Sequence, residues 1–329
     1  MEIDLLPKVE LHLHLDCCLS YKVVSRLNPP VTPEMYRDQF VAPPKCTNLA
    51  DFLTRAVNGY QLMQTAESLE LIVEDMFEQL VASNIIYAEV RFAPLQHLEA
   101  GLTPVEVVQI TNTAFARCNE KYNLEARVIL CTLRHYSAAQ SMETVKLVEQ
   151  FRGTNVVGFD IASDEAGFAI DNHIAAFEYA YEKGLHITAH AGEAKGAESV
   201  WETLEHLRPS RIGHGVRSIE DPLLVKHLVA QNIHLEICPS CNVQINLYES
   251  YKDHPINELY RAGVSLNVNT DAPTIVGIDL NKEYKKLQEY FGWTNADFYT
   301  CNVHALKASF IPEDLKAVLL EKLAAGYQV

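Results

Sequence analysis

Two histidines stand two residues apart in KVELHLHLD (8–16), with an aspartate at the same spacing beyond them: His12, His14 and Asp16. Residues two apart on a strand face one side, so the two imidazoles project together. Paired imidazoles are half of a metal site, because neutral ring nitrogens ligate divalent transition metals well. The pair is weak alone, since the chain has 13 histidines and two polar strand residues explain it as readily. Position adds weight. His190 in HITAHAGE (186–193) and Asp271 in VSLNVNTDAP (264–273) also lie toward the ends of β-rich runs. Three imidazoles and one carboxylate suit Zn²⁺ and leave room for a water, whose pKa the ion lowers toward ~7. His214, flanked by glycines in RIGHG (211–215), is placed to orient or deprotonate that water, and Glu193, three residues after His190, to protonate a substrate.

The elements that must carry these residues follow from periodicity. Eight short β-rich runs are separated by longer stretches with helical spacing: 8–16, 85–94, 126–134, 156–163, 186–193, 211–215, 234–240 and 264–273. Eight strands in βα alternation predict an α/β fold, a (β/α)8 TIM-type barrel, whose active site lies at the C-terminal ends of the strands. The segment from Cys17 to Ser83 is too long for one connection. TAESLELIVEDMFEQLVASN reads as a helix feeding the second strand, and the excess, 19–63, as a helical insertion covering the barrel mouth or as core beneath a long connection. A single domain over 1–329 is expected, with helices after Trp293.

Composition excludes other classes. The formal charge is −16, and no cluster of lysines and arginines is placed to neutralise phosphates, so nucleic acid is a poor partner. No leader-like N-terminus and no apolar run approaching ~18 residues is present, so no membrane span is expected and the cytoplasm is the expected location. In a reducing cytosol the eight cysteines are expected to be free thiols. His234, Glu236, Cys238 and Cys241 mimic the H-x-E and C-x-x-C elements of another zinc deaminase class, but all four fall within eight residues of one run, too close to come from separate helices. Packing is the expected role of Cys241. His97, His173, His206 and His227 lie away from strand ends and are expected at the surface.

LHLHLD, TAHAGE, IGHG and NTDAP, in this order and spacing, resemble the adenosine deaminase family of the amidohydrolase superfamily, and VVGFDIASDE and CPSCNVQ resemble its intermediate segments. The resemblance spans almost the whole chain. It implies one Zn²⁺ per chain on His12, His14, His190 and Asp271, the fourth run lacking the lysine that binuclear relatives carry. It further implies that Glu193 protonates purine N1, that His214 and Asp271 activate the water, and that hydroxide adds at C6 before ammonia leaves. Asp16 matches the residue that meets a ribose 5′-hydroxyl, and Ser163 stands where a glycine N–H contacts purine N3.

The pattern is broken at three places. Ala272 replaces the second aspartate of the last motif, the residue that bonds purine N7; Ser163 replaces glycine; and Cys17 and Cys18 occupy a loop where the family has glycine. The first reading is deamination of a 6-aminopurine nucleoside, adenosine to inosine. The alternatives are a modified purine (an N6-substituted adenine or adenosine, or aminodeoxyfutalosine), free adenine, and a nucleoside-binding protein without turnover. The sequence leaves oligomeric state open.

Overall fold

The computed structural model describes residues 2–329. Its frame is eight parallel strands, β1 (Lys8–His14), β2 (Ile85–Phe92), β3 (Glu125–Leu133), β4 (Val156–Ala162), β5 (His186–Ala191), β6 (Arg211–His214), β7 (His234–Ile237) and β8 (Leu266–Val268). They are hydrogen-bonded in chain order, and a parallel bridge between Leu13 and Asp271 brings the last connection back to β1. The expected (β/α)8 barrel is the fold. The gap between β1 and β8 is stitched by a side chain, since Asn269 Oδ1 accepts the N–H groups of Leu11 and His12 at 2.8 and 3.1 Å.

Helices α1 (Tyr21–Leu27), α2 (Pro33–Phe40) and α3 (Leu49–Gln61) form the long connection after β1, and α4 (Ala66–Ala82) leads into β2. Their starts are written in the sequence: Ser20, Thr32, Asn48 and Thr65 each accept the backbone N–H three residues on, a cap worth about 0.5–2 kcal/mol apiece. The connections after the next strands carry α5 (Pro104–Tyr122), α6 (Ala138–Gln150), α7 (Ile174–Glu182), α8 (Ala197–His206), α9 (Pro222–Gln231), α10 (Pro239–Gln244) and α11 (Ile256–Arg261). Beyond β8 lie α12 (Pro273–Val276), α13 (Leu280–Phe291), α14 (Asn295–Ala308) and α15 (Glu313–Tyr327). Among the described residues no helix is long and apolar enough to cross a membrane. All eight cysteines are free and buried.

The barrel interior is ionic beneath the site. Glu89, Arg91, Asp160, Arg211 and Glu236 are fully buried on β2, β4, β6 and β7. Arg91 pairs with Asp160 at 2.8 Å and Glu236 at 2.5 Å, and Arg211 with Glu89 at 2.5 Å and Glu236 at 2.7 Å. Each buried charge has its counter-ion, without which desolvation would cost several kcal/mol per ion.

Two of the four histidines expected at the surface are interior. His173 bonds Ser141 Oγ and Arg134 O at 3.1 and 3.2 Å, tying the start of α7 to α6 and to the end of β3. His97 is fully buried beside Phe92, and neither ring nitrogen has a hydrogen-bond partner. Burial lowers its pKa from 6.5 to about 4. The unfolded chain therefore binds more protons than the folded one between these values, and stability is lost as pH falls from 6.5 towards 4. The loss approaches about 3 kcal/mol. His97→Phe is expected to flatten this acid limb in urea unfolding followed at pH 7 and pH 5; an unchanged pH slope would refute the assignment. His206 is exposed and His227 half-buried.

Candidate active site

His12 and His14 close β1, and His190 stands one residue before the end of β5. In the β5–β6 register His190 faces Gly213, where a Cβ would sit 2.9 Å from the His12 ring; only glycine leaves these imidazoles room. Asp271 lies past the end of β8, whose strand is shorter than the run 264–273 implied. Its φ of 63° is the left-handed conformation that costs a non-glycine residue about 1–2 kcal/mol. Two bonds offset that cost: Asp271 N–H donates to His12 O at 3.0 Å, and His14 N–H to Asp271 O at 2.9 Å.

The donors converge. His14 Nε2 lies 3.2 Å from His190 Nε2, and Asp271 Oδ1 lies 3.2 Å from His12 Nε2 and 3.3 Å from His14 Nε2. One ligand atom from each of the four residues fits within 4.8 Å of the others. The opposite ring nitrogens are engaged, His12 Nδ1 with Glu236 at 2.9 Å and His190 Nδ1 with Asp160 at 3.1 Å, which turns both Nε2 atoms to the cluster. His12 Nε2 is buried without a hydrogen-bond partner. Burial, then the neighbouring charges, holds His12 and His14 neutral. Neutral imidazoles, a carboxylate and an orphaned buried nitrogen fit a divalent metal.

The acid and base groups surround this cluster. Glu193 lies in the loop after β5, and its main chain is fixed by Glu165, whose carboxylate accepts the N–H groups of Gly192, Glu193, Ala194 and Lys195 at 2.5–3.0 Å. The Glu193 carboxyl is itself buried, and its Oε1 has no hydrogen-bond partner. Burial, then the charges of Asp271 and Glu165, pushes its pKa well above the carboxylate range, which favours the protonated form. His214 ends β6 with φ 60°, its Nε2 3.5 Å from Glu193 Oε1. Cys241 is more than packing: its Sγ donates to Asp271 Oδ2 at 2.9 Å, which leaves Oδ1 to the cluster.

These groups open into one cavity of about 250 Å³. Asp16 lines it from the 3₁₀ turn Leu15–Cys17, not from the strand, with Oδ1 buried and unpartnered and its pKa raised by burial to about 6. Ser163 lines it at φ 85°, a conformation suited to glycine. Ala272 belongs to an apolar cluster with Cys17, Leu49, Phe52, Cys241 and Ile275. Leu49 and Phe52 on α3 pack in that cluster and wall the cavity, and Tyr60 from the same helix lines the cavity. Cys18 sits behind, its Sγ donating to His14 O at 2.8 Å. No lysine or arginine lines the cavity.

Sequence reasoning placed all nine candidate residues on this cavity or the cluster beneath it, and missed Asp160, Glu165, Glu236 and Cys241. Single charges inside otherwise apolar strand runs were the available sign for Asp160 and Glu236. The H-x-E and C-x-x-C likeness forms no site, because His234 bonds Ser265 and Asn267 at 2.9 and 3.0 Å while Glu236 holds His12.

A family model described as adenosine deaminase matches residues 7–326. The chain belongs to the adenosine deaminase family. It is accordingly an amidohydrolase-superfamily enzyme acting on C–N bonds in cyclic amidines. Within the family it is 34% identical to adenosine deaminase 1 of Streptomyces coelicolor, over 98% of this chain and 87% of that one, and 32% identical to adenosine deaminase of Clostridium acetobutylicum, over 97% of each. Among solved structures it is similar to an adenine deaminase from Arthrobacter aurescens, with TM-score 0.90, 26% identity and coverage of 98% and 99% of the two chains. An Arabidopsis N6-mAMP deaminase shares the fold, with TM-score 0.88 at 22% identity over 98% and 99%.

Proposed function

We propose that this enzyme hydrolyses the exocyclic amine of a 6-aminopurine nucleoside, adenosine being the first choice, with one Zn²⁺ held by His12, His14, His190 and Asp271. The observation that carries this reading is a buried Glu193 carboxyl, its Oε1 without a partner, beside three converging imidazoles and a carboxylate. Zinc bound there supplies Lewis acidity that makes water a nucleophile at neutral pH. His214 and Asp271 orient that water, the Asp271 carboxylate takes its proton as the oxygen adds at C6, and Glu193 passes its own proton to N1. The proton taken from water then passes to the amine, which departs as ammonia, and the C6 hydroxyl gives up its proton to Glu193 as the 6-oxopurine forms.

The rest of the cavity selects the substrate. Asp16, with a buried oxygen lacking a partner, suits a sugar hydroxyl as donor. A 5′-phosphate would instead meet this carboxyl with no lysine or arginine to neutralise it, which favours a nucleoside over a nucleotide. Ala272 supports a second reading: its apolar surroundings suit a base carrying a carbon substituent, as in N6-substituted adenine or adenosine, and the lost N7 contact fits aminodeoxyfutalosine and free adenine as well.

Ala272→Asp separates the two. If adenosine is the substrate, restoring a partner for N7 is expected to raise kcat/KM on adenosine by about 5–150-fold, the worth of a buried hydrogen bond of 1–3 kcal/mol. An unchanged or lower value would assign the cavity to a substituted purine.

A further inference from the structure

The reaction leaves His214 two parts open, accepting the water's proton through a bare nitrogen or donating a hydrogen bond through a protonated one. Two residues beyond the reacting groups decide between them, Asn242 on α10 and His254 before α11. The chain of bonds begins at a group whose polarity is fixed. Ile256 N–H donates to His254 Nδ1 at 3.1 Å, and a backbone amide can only donate. His254 Nδ1 therefore carries a lone pair, and the neutral ring keeps its proton on Nε2.

That N–H meets Asn242 Oδ1 at 3.2 Å, which settles which end of the amide faces which ring. Asn242 Nδ2 then lies 3.2 Å from His214 Nδ1 and donates to it. His214 Nδ1 is thus an acceptor, and the ring proton sits on Nε2, on the side of Glu193. All three side chains are at most 2% exposed, so water does not compete for these bonds. Burial lowers the pKa of His254 to about 3, so that ring is neutral.

We propose that Asn242 and His254 are positioning residues that fix the tautomer of His214, so that it meets the attacking water as a hydrogen-bond donor through Nε2–H and not as the acceptor of its proton. The inference rests on the role given to His214 above.

Nitrogen-15 spectra of histidine-labelled, zinc-loaded enzyme test it directly, with His214→Gln and His254→Gln to assign the signals. The expected result is a protonated Nε2 and a bare Nδ1 on both rings; a proton on Nδ1 of His214 would overturn the proposal. Kinetics supply the second arm, using whichever of adenosine, N6-methyladenosine or adenine the parent enzyme turns over fastest. Asn242→Asp offers His214 Nδ1 only acceptors and is expected to lower kcat by at least ~100-fold with KM within ~3-fold, the mark of an interaction made in the transition state. Its zinc content stays at one per chain.

His254→Gln keeps an acceptor for Ile256 and a donor for Asn242, and it should hold kcat within ~3-fold, whereas His254→Leu should lose at least ~10-fold. An undiminished kcat in Asn242→Asp, or equal losses in the two His254 variants, would contradict the relay. Should Asn242→Asp fail to fold, the spectra and the His254 pair still decide. A parent enzyme releasing neither ammonia nor methylamine from these substrates would sink the proposed function, and the ring-nitrogen spectra would still report the tautomer.

Discussion

Glu193→Gln is expected to lower kcat by about 10²–10⁴-fold, the usual worth of a positioned general acid, with metal content and melting temperature unchanged. Burial and the nearby charges of Asp271 and Glu165 raise the pKa of the native carboxyl and favour its neutral form, so the substitution puts a neutral group of the same shape in its place. Glu165 grips the main chain of residues 192–195 and not this side chain, so the loop should stay in place. What the amide cannot do is release a proton to a ring nitrogen. Ammonia release measured beside zinc content and thermal unfolding isolates that one property. A loss under tenfold would remove Glu193 from the chemistry, and a loss accompanied by missing zinc would make its role structural.

Glu236→Gln should be the most damaging of the isosteric changes in the barrel. The Glu236 carboxylate receives Arg91 at 2.5 Å, Arg211 at 2.7 Å, His12 Nδ1 at 2.9 Å and Thr188 Oγ1 at 3.0 Å, all out of contact with water. An amide turns one donor against these donors and removes the charge that two buried guanidiniums share. Breaking a buried pair in this way costs about 3–5 kcal/mol, which for a chain of this size lowers the melting temperature on the order of 10 °C. The His12 ring also loses the partner that aims Nε2 at the cluster, and a 10–100-fold weakening of zinc binding is expected. Thermal unfolding of the metal-free protein and zinc titration read the two effects separately. A melting temperature and a zinc affinity both within error of the parent would contradict the view that this network positions the site.

Much of this was legible in the sequence, and the reasons for the exceptions are physical. The eight runs were readable because parallel barrel strands are short, β-rich and separated by helical periodicity. Their ends were not: in 264–273 only Leu266–Val268 is strand, because Asn269 turns its side chain into the β1 gap and Asp271 adopts a left-handed conformation to reach the histidines. The proposed ligands stood out as titratable residues where a barrel keeps its chemistry.

The layer beneath them did not stand out. Asp160 and Glu236 read as single charges in apolar strands, and only closure of the barrel shows that Arg91 and Arg211 meet them. His97 and His173 were misplaced for the same reason, since a histidine outside a strand carries no mark of burial when its partners, or its lack of them, come from distant segments. Cys241 looked like filler because a thiol's bond to Asp271 depends on how α10 follows β7. Glu165, two residues after Ser163, gave no sign of the four amides it collects from the loop after the next strand.

The most direct test is release of the amine, ammonia or, from N6-methyladenosine, methylamine, by metal-loaded enzyme offered adenosine, N6-methyladenosine, adenine and adenosine 5′-monophosphate, with His214→Ala as control. The account predicts rapid release from at least one nucleoside, at least ~100-fold slower release from the monophosphate, which sets a phosphate against Asp16, and loss of turnover in the control. Preferred turnover of the monophosphate, or a zinc-loaded protein that releases neither ammonia nor methylamine from any of the four, would contradict it.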